Sequence, residues 1–255
     1  MDGDKADSIP TTLRLLLVIE EIAKAGVPVT PTDVNAILGL PKPTIHRLFT
    51  TLEAEGFLQK DLDGRTYSPG PRLRTMAGGI LSSLRIRTAR LAVLNQLSSE
   101  IGETTNIALP DRDAMIYLER VETEWPLRIQ LPIGTRVPFY CTASGKMYLS
   151  SLKSSHLQRY ISATKLEHKS RNTITDSDKL MEEIAQIRHQ DYALDREEFM
   201  PDMIAIAVPI LDVNGRLAAT LSFHAPTQRF SIDQAMDHLD ALKKASKELS
   251  ELISN

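Results

Sequence analysis

Between residues 40 and 68, the order of apolar and polar positions predicts a helix followed by a short β-ribbon. Four apolar side chains have the i, i+3, i+4, i+7 spacing of one buried helix face: Ile45, Leu48, Phe49 and Leu52. Gly56 ends this helix, and Asp63-Gly64 is a strong signal for a two-residue turn between the strands that follow. This order is typical of the recognition helix and wing of a winged helix-turn-helix.

Two further helices are predicted before this one. An amphipathic pattern runs from about residue 9 to residue 25. The second helix begins after Thr30, where a capping hydroxyl, a proline and the acid Asp33 follow in the order of a helix N-terminus. Gly39 ends it, so residues 39–41 form the turn before the recognition helix. The first 70 residues therefore predict a complete small DNA-binding domain.

The polar face of the predicted recognition helix carries hydrogen-bonding side chains instead of the usual mixture of Glu and Lys. We expect four of them to face the bases of the major groove: Thr44, His46, Arg47 and Thr50. Three cations are expected on the DNA backbone, one at the start of this helix and two in the wing: Lys42, Lys60 and Arg65. Double-stranded DNA is therefore the predicted partner.

The charge distribution supports this prediction more than the net charge of −3 does. Residues 64–99 contain no Asp or Glu, although the chain has 33 of them, and the same window holds six arginines: Arg65, Arg72, Arg74, Arg85, Arg87 and Arg90. Such a window predicts a surface kept positive for phosphate contacts. The alternative is a chance gap on a solvated face.

The remainder of the chain predicts an antiparallel sheet with helices packed on it. Helices are expected over residues 73–83, 87–101, 142–152, 176–190 and 231–253, and strands over 105–109, 114–118, 127–131, 192–196, 204–211 and 217–224. Asn214-Gly215, between the last two strands, is the clearest hairpin signal in the chain. The fold class is therefore α+β.

Composition narrows the possible environments and the possible chemistry. The chain has 255 residues, 42% of them hydrophobic, but no apolar run approaches the ~18 residues of a membrane span. Its N-terminus is polar and acidic, unlike a signal peptide. The single cysteine, Cys141, excludes an internal disulfide and a multi-cysteine metal site. We expect a cytoplasmic protein without membrane contact, metal or cofactor.

Motifs for catalysis are weak. Residues 144–146 (Ser-Gly-Lys) lack the upstream glycine spacing of a phosphate-binding loop, and residues 142–146 lack the glycines of a nucleophile elbow. Cys141, Asp195 and His224 could supply a nucleophile, orienter and base, or three metal ligands, only if folding brings them together. We expect no enzyme. The alternative is a cytosolic metabolite-binding protein or enzyme whose N-terminal domain is a protein-interaction module.

Several motifs in order resemble those of the IclR family of transcriptional regulators, over nearly the whole chain. They lie at residues 40–48 in the recognition helix, with Pro43 where the family usually has Ser, at 61–70 in the wing, and at 116–121, 133–138, 142–146 and 206–210. The resemblance implies a winged helix-turn-helix at residues 1–72, a linker helix at 73–88 and a GAF-like effector-binding domain at 89–255. It also implies a homodimer or dimer of dimers on an inverted-repeat operator, controlling a catabolic operon.

The resemblance further implies a pocket for a small organic acid or aromatic metabolite. By residue matching, the pocket falls on Ala143, Ser144, Asp195, Met203, Ala205, Ser222 and His224. Strand alternation is consistent with this, since it places one large apolar face, which includes Leu217, opposite a small polar face suited to a solvated ligand. His224 stands where the family usually has a small residue. It is either a cationic or hydrogen-bonding partner of a carboxylate, or a histidine bonded to Asp195 or to the backbone.

Overall fold

The computed structural model describes residues 9–61, 64–81, 84–126 and 131–254. Its contacts divide the chain into two compact units, Met1–Ser83 and Leu84–Asn255. The predicted division into a domain at residues 1–72, a linker helix at 73–88 and a domain at 89–255 stays a prediction. Among the helices of the described residues, none has the length and apolar content needed to cross a bilayer.

The N-terminal unit is a winged helix-turn-helix, as predicted. Its elements are α1 (Thr11–Ala25), α2 (Pro31–Leu38), α3 (Lys42–Ala54), β1 (Leu58–Lys60), β2 (Tyr67–Pro69) and α4 (Pro71–Leu81). The antiparallel pair β1–β2 forms the wing, and Val29 pairs with Tyr67 beside it. The four predicted apolar positions of α3 are buried against Val18 and Ile22 of α1 and Val34 of α2. Part of the predicted wing turn, Asp63, lies outside the described residues.

Local hydrogen bonds fix the turn between α2 and α3. Thr30 and Asp33 form the predicted capping box, and Gly39 adopts the left-handed conformation (φ 65°) that ends α2. The Asn35 side chain then holds Leu40 through two 2.9 Å bonds, donating to its carbonyl and accepting from its amide. Since Gly39 N also donates to Asn35 O, this residue anchors the whole turn.

The C-terminal unit is a six-stranded antiparallel sheet in the order β5-β4-β3-β8-β7-β6, with helices on both faces. Its elements are α5 (Leu84–Ile101), β3 (Thr104–Asp111), β4 (Ala114–Val121), β5 (Arg136–Pro138), α6 (Ala143–Ser151), α7 (Ser154–Ala163), α8 (Ser177–Gln190), β6 (Ala193–Arg196), β7 (Met203–Leu211), β8 (Leu217–Pro226), α9 (Ile232–Asp237) and α10 (Leu239–Ser254). Together with the first unit, this gives the predicted α+β architecture.

Apolar cores lie on both faces of this sheet. The predicted apolar face of β7 and β8 packs with α5 and α10, whereas α6, α7 and α8 enclose a second apolar cluster on the other face. The expectation of a small, polar second face therefore holds only in part. Ala205, Ser222 and His224 lie on this side next to α6, but apolar side chains of α6, α7 and α8 cover much of the face. Leu217 was also misassigned, because the register shifts after Ile210 and places Leu217 against the second cluster.

Several predicted boundaries differ from the structure. The closing helix predicted over 231–253 is two helices that meet at His238, and the sequence patterns missed β5 and α7. α5 begins at Leu84, three residues before the predicted start. Residues 127–130 of a predicted strand lie outside the described residues.

Candidate DNA-binding surface and ligand cavity

The predicted DNA-contacting side chains lie on the face of α3 opposite its buried residues. Lys42, His46, Arg47 and Thr50 are exposed and Thr44 is half-buried. The Thr50 hydroxyl donates to His46 O of its own helix at 3.1 Å, which leaves its oxygen as an acceptor. The structure thus presents one continuous polar face along the helix.

The wing presents the two predicted backbone-contacting cations. Lys60 and Arg65 are both exposed. The Lys60 Nζ lies 5.6 Å from the centre of the Tyr67 ring, close enough for a cation–π contact that holds this side chain on the wing. Both cations are therefore accessible to a negatively charged partner.

The acid-free window does not form one positive surface. Arg90 is only 2% exposed and donates to Glu119 at 2.9 Å, and Arg87 pairs with the same carboxylate at 3.3 Å. Arg72 pairs with Glu55, and Arg74 donates to Pro69 O. The prediction of a positive surface was wrong for these arginines, because carboxylates from outside the window and a backbone carbonyl bond to them.

One cavity in the C-terminal unit collects all seven residues matched to the family pocket. It encloses about 360 Å³ of empty space, including open solvent at its mouth. Its described lining is Tyr117, Leu131, Thr142, Ala143, Ser144, Asp195, Phe199, Met203, Ala205, Ser222 and His224. Tyr117, Leu131, Thr142 and Phe199 were not predicted. The cavity therefore has a mixed character, with aromatic and aliphatic walls and a row of short polar groups.

The N-terminus of α6 forms one wall of the cavity. Thr142 caps it by accepting from Gly145 N at 3.1 Å, while the amides of Ala143 and Ser144 precede the first intrahelical bonds. The Ser144 hydroxyl donates to Ser222 Oγ at 3.3 Å. A Cβ on Gly145 would lie 2.3 Å from the Phe139 backbone, so only glycine lets α6 pack this close to that backbone. Free amides and a favourable dipole suit an acceptor or an anion.

Asp195 is a buried carboxyl at the cavity wall. Its Oδ1 accepts from the amides of Glu198 at 2.7 Å and Phe199 at 3.3 Å. Burial and, to a smaller extent, the nearby Glu198 carboxyl raise the pKa of Asp195 to about 7, against the opposing effect of Lys146. Lys146 is itself fully buried and pairs with Glu183 and Glu198. At neutral pH the Asp195 carboxyl is therefore shared between its neutral and charged forms.

Among the described residues, the ring nitrogens of His224 contact neither Asp195 nor the backbone. Its Nε2 lies 3.2 Å from Arg120 Nη1 and its Nδ1 lies 3.3 Å from Asn106 Nδ2. Burial and, to a smaller extent, the Arg120 charge lower the pKa of His224 to about 3, whereas the Glu122 carboxylate opposes the shift. The alternative of a histidine bonded to Asp195 or to the backbone was therefore wrong, because the ring nitrogens lie against Arg120 and Asn106. A contact between His224 and a ligand stays a prediction.

Arg120 was missed because strand alternation is broken beside it. The pairing of β3 with β4 shifts between Ile107 and Ala108, so that Leu118 is an extra residue on β4. Consequently Arg120 lies on the same side as Tyr117 and the cavity, whereas simple alternation places the two on opposite faces. The sequence signal that could have drawn attention to Arg120 was a charged residue within a predicted strand.

The alternative of a catalytic or metal centre gains no support. Burial raises the pKa of the Cys141 thiol to about 12, so the thiol is protonated rather than nucleophilic. Within the described part of the chain, no three His, Cys, Asp or Glu side chains are grouped to hold a metal ion. Cys141, Asp195 and His224 thus do not form the suggested constellation.

Comparison with known proteins matches both units. The IclR helix-turn-helix domain matches residues 11–62, and the family described as "Bacterial transcriptional regulator IclR C-terminal" matches residues 78–251. The "Probable transcriptional regulator SauR" of Cupriavidus necator is 35% identical over 237 residues, which are 93% of this chain and 94% of that protein.

Solved structures agree with the sequence relatives. The Thermotoga maritima IclR structure superposes with a TM-score of 0.64 at 27% identity, covering 96% of this chain and 99% of that one. A double mutant of the inducer-binding domain of PobR from Acinetobacter, in complex with 3-hydroxybenzoic acid, has a TM-score of 0.59 at 29% identity over 64% of this chain and 95% of its own. The chain therefore belongs to the IclR family of transcriptional regulators, with a helix-turn-helix for DNA and a C-terminal effector-binding domain.

Proposed function

We propose that this regulator controls a catabolic operon in response to a small organic acid or aromatic metabolite bound in the cavity. The observation that carries the proposal is the convergence of seven family-matched positions on one cavity that has aromatic side chains and a helix N-terminus in its wall. The PobR domain, which holds 3-hydroxybenzoic acid, supports an aromatic acid as the first class to test. We infer no enzymatic activity, since the relatives are regulators and the Cys141 thiol is protonated.

We further propose that the protein binds an inverted-repeat operator as a homodimer or dimer of dimers. A single DNA-binding module buries roughly 600–1,000 Å² of protein surface, which is little for tight specific binding. Two modules related by a two-fold axis read two half-sites and so match an inverted repeat. The predicted linker helix over residues 73–88 is the proposed route between ligand and DNA. A tenfold change in operator occupancy then needs about 1.4 kcal/mol of coupling.

Replacing Arg47 by Ala should weaken binding to the cognate operator by about 1–3 kcal/mol and relax the preference at one base pair. The reason is that the exposed guanidinium on α3 is placed to bond a base edge, most often guanine. The operator is first selected from random DNA with the purified protein. Competition against every single-base variant of that operator then measures both effects.

Arg65→Ala is the matched control for this experiment. It removes the same charge from the wing, where a phosphate contact carries no sequence information, so it should weaken all sequences alike and reduce the salt dependence. An Arg47→Ala protein that binds its operator like the wild type would show that α3 presents a different reading face.

Filling the cavity should separate ligand response from DNA binding. Ala205 lines the cavity and is half-buried, so Ala205→Leu should abolish the effect of an aromatic acid on operator affinity because the larger side chain occupies its space. Ala163→Leu, at an exposed position of α7, is the control and should respond normally. The measurement is operator affinity with and without each acid of a panel that includes 3-hydroxybenzoate. A normal response of the Ala205→Leu protein would place the effector site elsewhere.

A further inference from the structure

Pro43 lies on the side of α3 that is turned away from the core, in line with two of the predicted base-contacting residues. It is exposed, and it precedes Arg47 by four residues and Thr50 by seven, a spacing that places the three side chains on one stripe of a helix. This stripe lies opposite the buried residues Ile45 and Leu48. The N-terminal residues of a recognition helix are those that contact base edges. Pro43 therefore belongs to the proposed reading face of α3, although it was not among the predicted DNA contacts.

The first turn of α3 is not built to hold a phosphate through backbone amides. Pro41 and Pro43 have no N–H, and the amides of Thr44 and Ile45 donate to Pro41 O at 2.8 and 3.2 Å. Within residues 41–45 as the structure describes them, this leaves one uncommitted amide, that of Lys42. A helix N-terminus that binds an anion offers several such groups. The start of α3 therefore presents to a partner the apolar ring of Pro43 and the side chain of Lys42.

An apolar ring can gain from only one group in the major groove. Adenine, guanine and cytosine present hydrogen-bond donors and acceptors there, whereas thymine adds a methyl group at C5. A proline ring that covers a polar base edge displaces water without returning a hydrogen bond, which costs free energy. Against the thymine methyl group, both partners are apolar and their contact removes apolar surface from water. The chemistry of the Pro43 ring therefore favours thymine over the other three bases.

We propose that Pro43 is a specificity-determining residue that reads the methyl group of one thymine in each operator half-site. This rests on the proposed function, because α3 must enter the major groove with its reading face toward the bases. Arg47 and Thr50 then read neighbouring base pairs along the same stripe. The serine that the family usually has at this position would offer a hydroxyl that can bond to several bases. The proline thus narrows the range of sequences that the regulator accepts.

The test removes the methyl group from the DNA and leaves the protein unchanged. In the operator selected with the purified full-length protein, each thymidine is replaced in turn by deoxyuridine, which lacks only the C5 methyl group. We expect one position in each half-site at which the replacement weakens binding about fourfold, the effect of losing one buried methyl group. This measurement does not depend on the folding of any variant.

Pro43→Ser then assigns the contact to its residue. The variant should bind the thymidine and deoxyuridine operators equally at that position, so that the changes in protein and DNA are not additive. Pro71→Ser makes the same exchange at the exposed first residue of α4 and is the matched control, expected to keep the sensitivity of the wild type.

Two results would overturn the proposal: equal wild-type affinity for all the deoxyuridine operators, or a sensitivity that Pro43→Ser retains in full. The second result would assign the methyl contact to another residue of α3. A failure of the proposed reading face is recognised separately, because Arg47→Ala would then bind the operator like the wild type. If Arg47→Ala weakens binding as expected and deoxyuridine has no effect, only the role of Pro43 is lost.

Discussion

Replacing Glu119 by Gln should lower the free energy of unfolding of the C-terminal unit by about 3–5 kcal/mol, the usual cost of removing one partner from a buried ion pair. Glu119 is 1% exposed and accepts from Arg90 at 2.9 Å and from Arg87 at 3.3 Å. It therefore neutralises one fully buried and one half-exposed guanidinium. The amide keeps the shape of the side chain but leaves the buried charge of Arg90 uncompensated.

Because of Arg90, the stability of the C-terminal unit is unusually sensitive to the loss of the Glu119 charge. Among the described residues its Nε and Nη1 have no hydrogen-bond partner and are fully buried, so the bond from Nη2 to Glu119 is its principal compensation. Both residues lie between α5 and β4, and β4 also carries Tyr117, which lines the cavity. Loss of the pair should thus loosen α5 from the sheet before the rest of the unit unfolds.

Urea unfolding followed by tryptophan fluorescence measures this effect, because Trp125 is the only tryptophan of the chain and lies in the C-terminal unit. Asp113→Asn is the control, since its carboxylate is 86% exposed and bonds Arg136 at the surface. The control should shift stability by less than about 1 kcal/mol. Equal effects of the two variants would mean that Glu119 is not compensating a buried charge.

Structural elements that are determined by interactions between residues close in sequence were predictable. The capping box of Thr30 and Asp33, the left-handed Gly39 and the apolar spacing of α3 are all local, and each was confirmed. The core between the sheet and α5 and α10 followed from strand alternation, which failed where a bulge shifts the register, as at Leu217. The second core, under α6, α7 and α8, was not predicted. Local chemistry therefore accounts for the winged helix and most of the sheet.

The polar networks were not predictable, because their partners are far apart in sequence. Glu119 and Arg90 are 29 residues apart, and Arg120 and His224 are 104 residues apart. Only the register of three strands, including a bulge in β4, brings Arg120 behind the cavity. Family resemblance named positions in the cavity but could not reveal a contact that depends on His224, where the family usually has a small side chain.

Asp195→Asn should remove a pH dependence of stability that the wild type shows between about pH 4 and pH 7. Burial raises the folded-state pKa of this carboxyl to about 7 from its ordinary value of 3.8, so in this interval the folded protein holds a proton that the unfolded chain has released. Wild-type stability therefore falls as the pH rises. Over about three pH units at about 1.4 kcal/mol each, the loss is at most about 4 kcal/mol.

The side-chain amide introduced by Asp195→Asn would still accept from the Glu198 and Phe199 amides, so the substitution keeps the local geometry while removing the charge. The variant should match the wild type near pH 4 and exceed its stability by a growing margin up to pH 7, beyond which the margin stays constant. The titration of His224 changes stability in the opposite direction. Because its pKa is lowered in the folded state, the folded protein loses stability as the pH falls below about 6.5. This contribution is present in both proteins and cancels in their difference.

The measurement is the difference in urea-unfolding free energy between the two proteins from pH 4 to pH 7, followed by the fluorescence of Trp125. Parallel profiles of the two proteins would show that Asp195 is charged in the folded state throughout, and that the cavity wall is an anion at neutral pH.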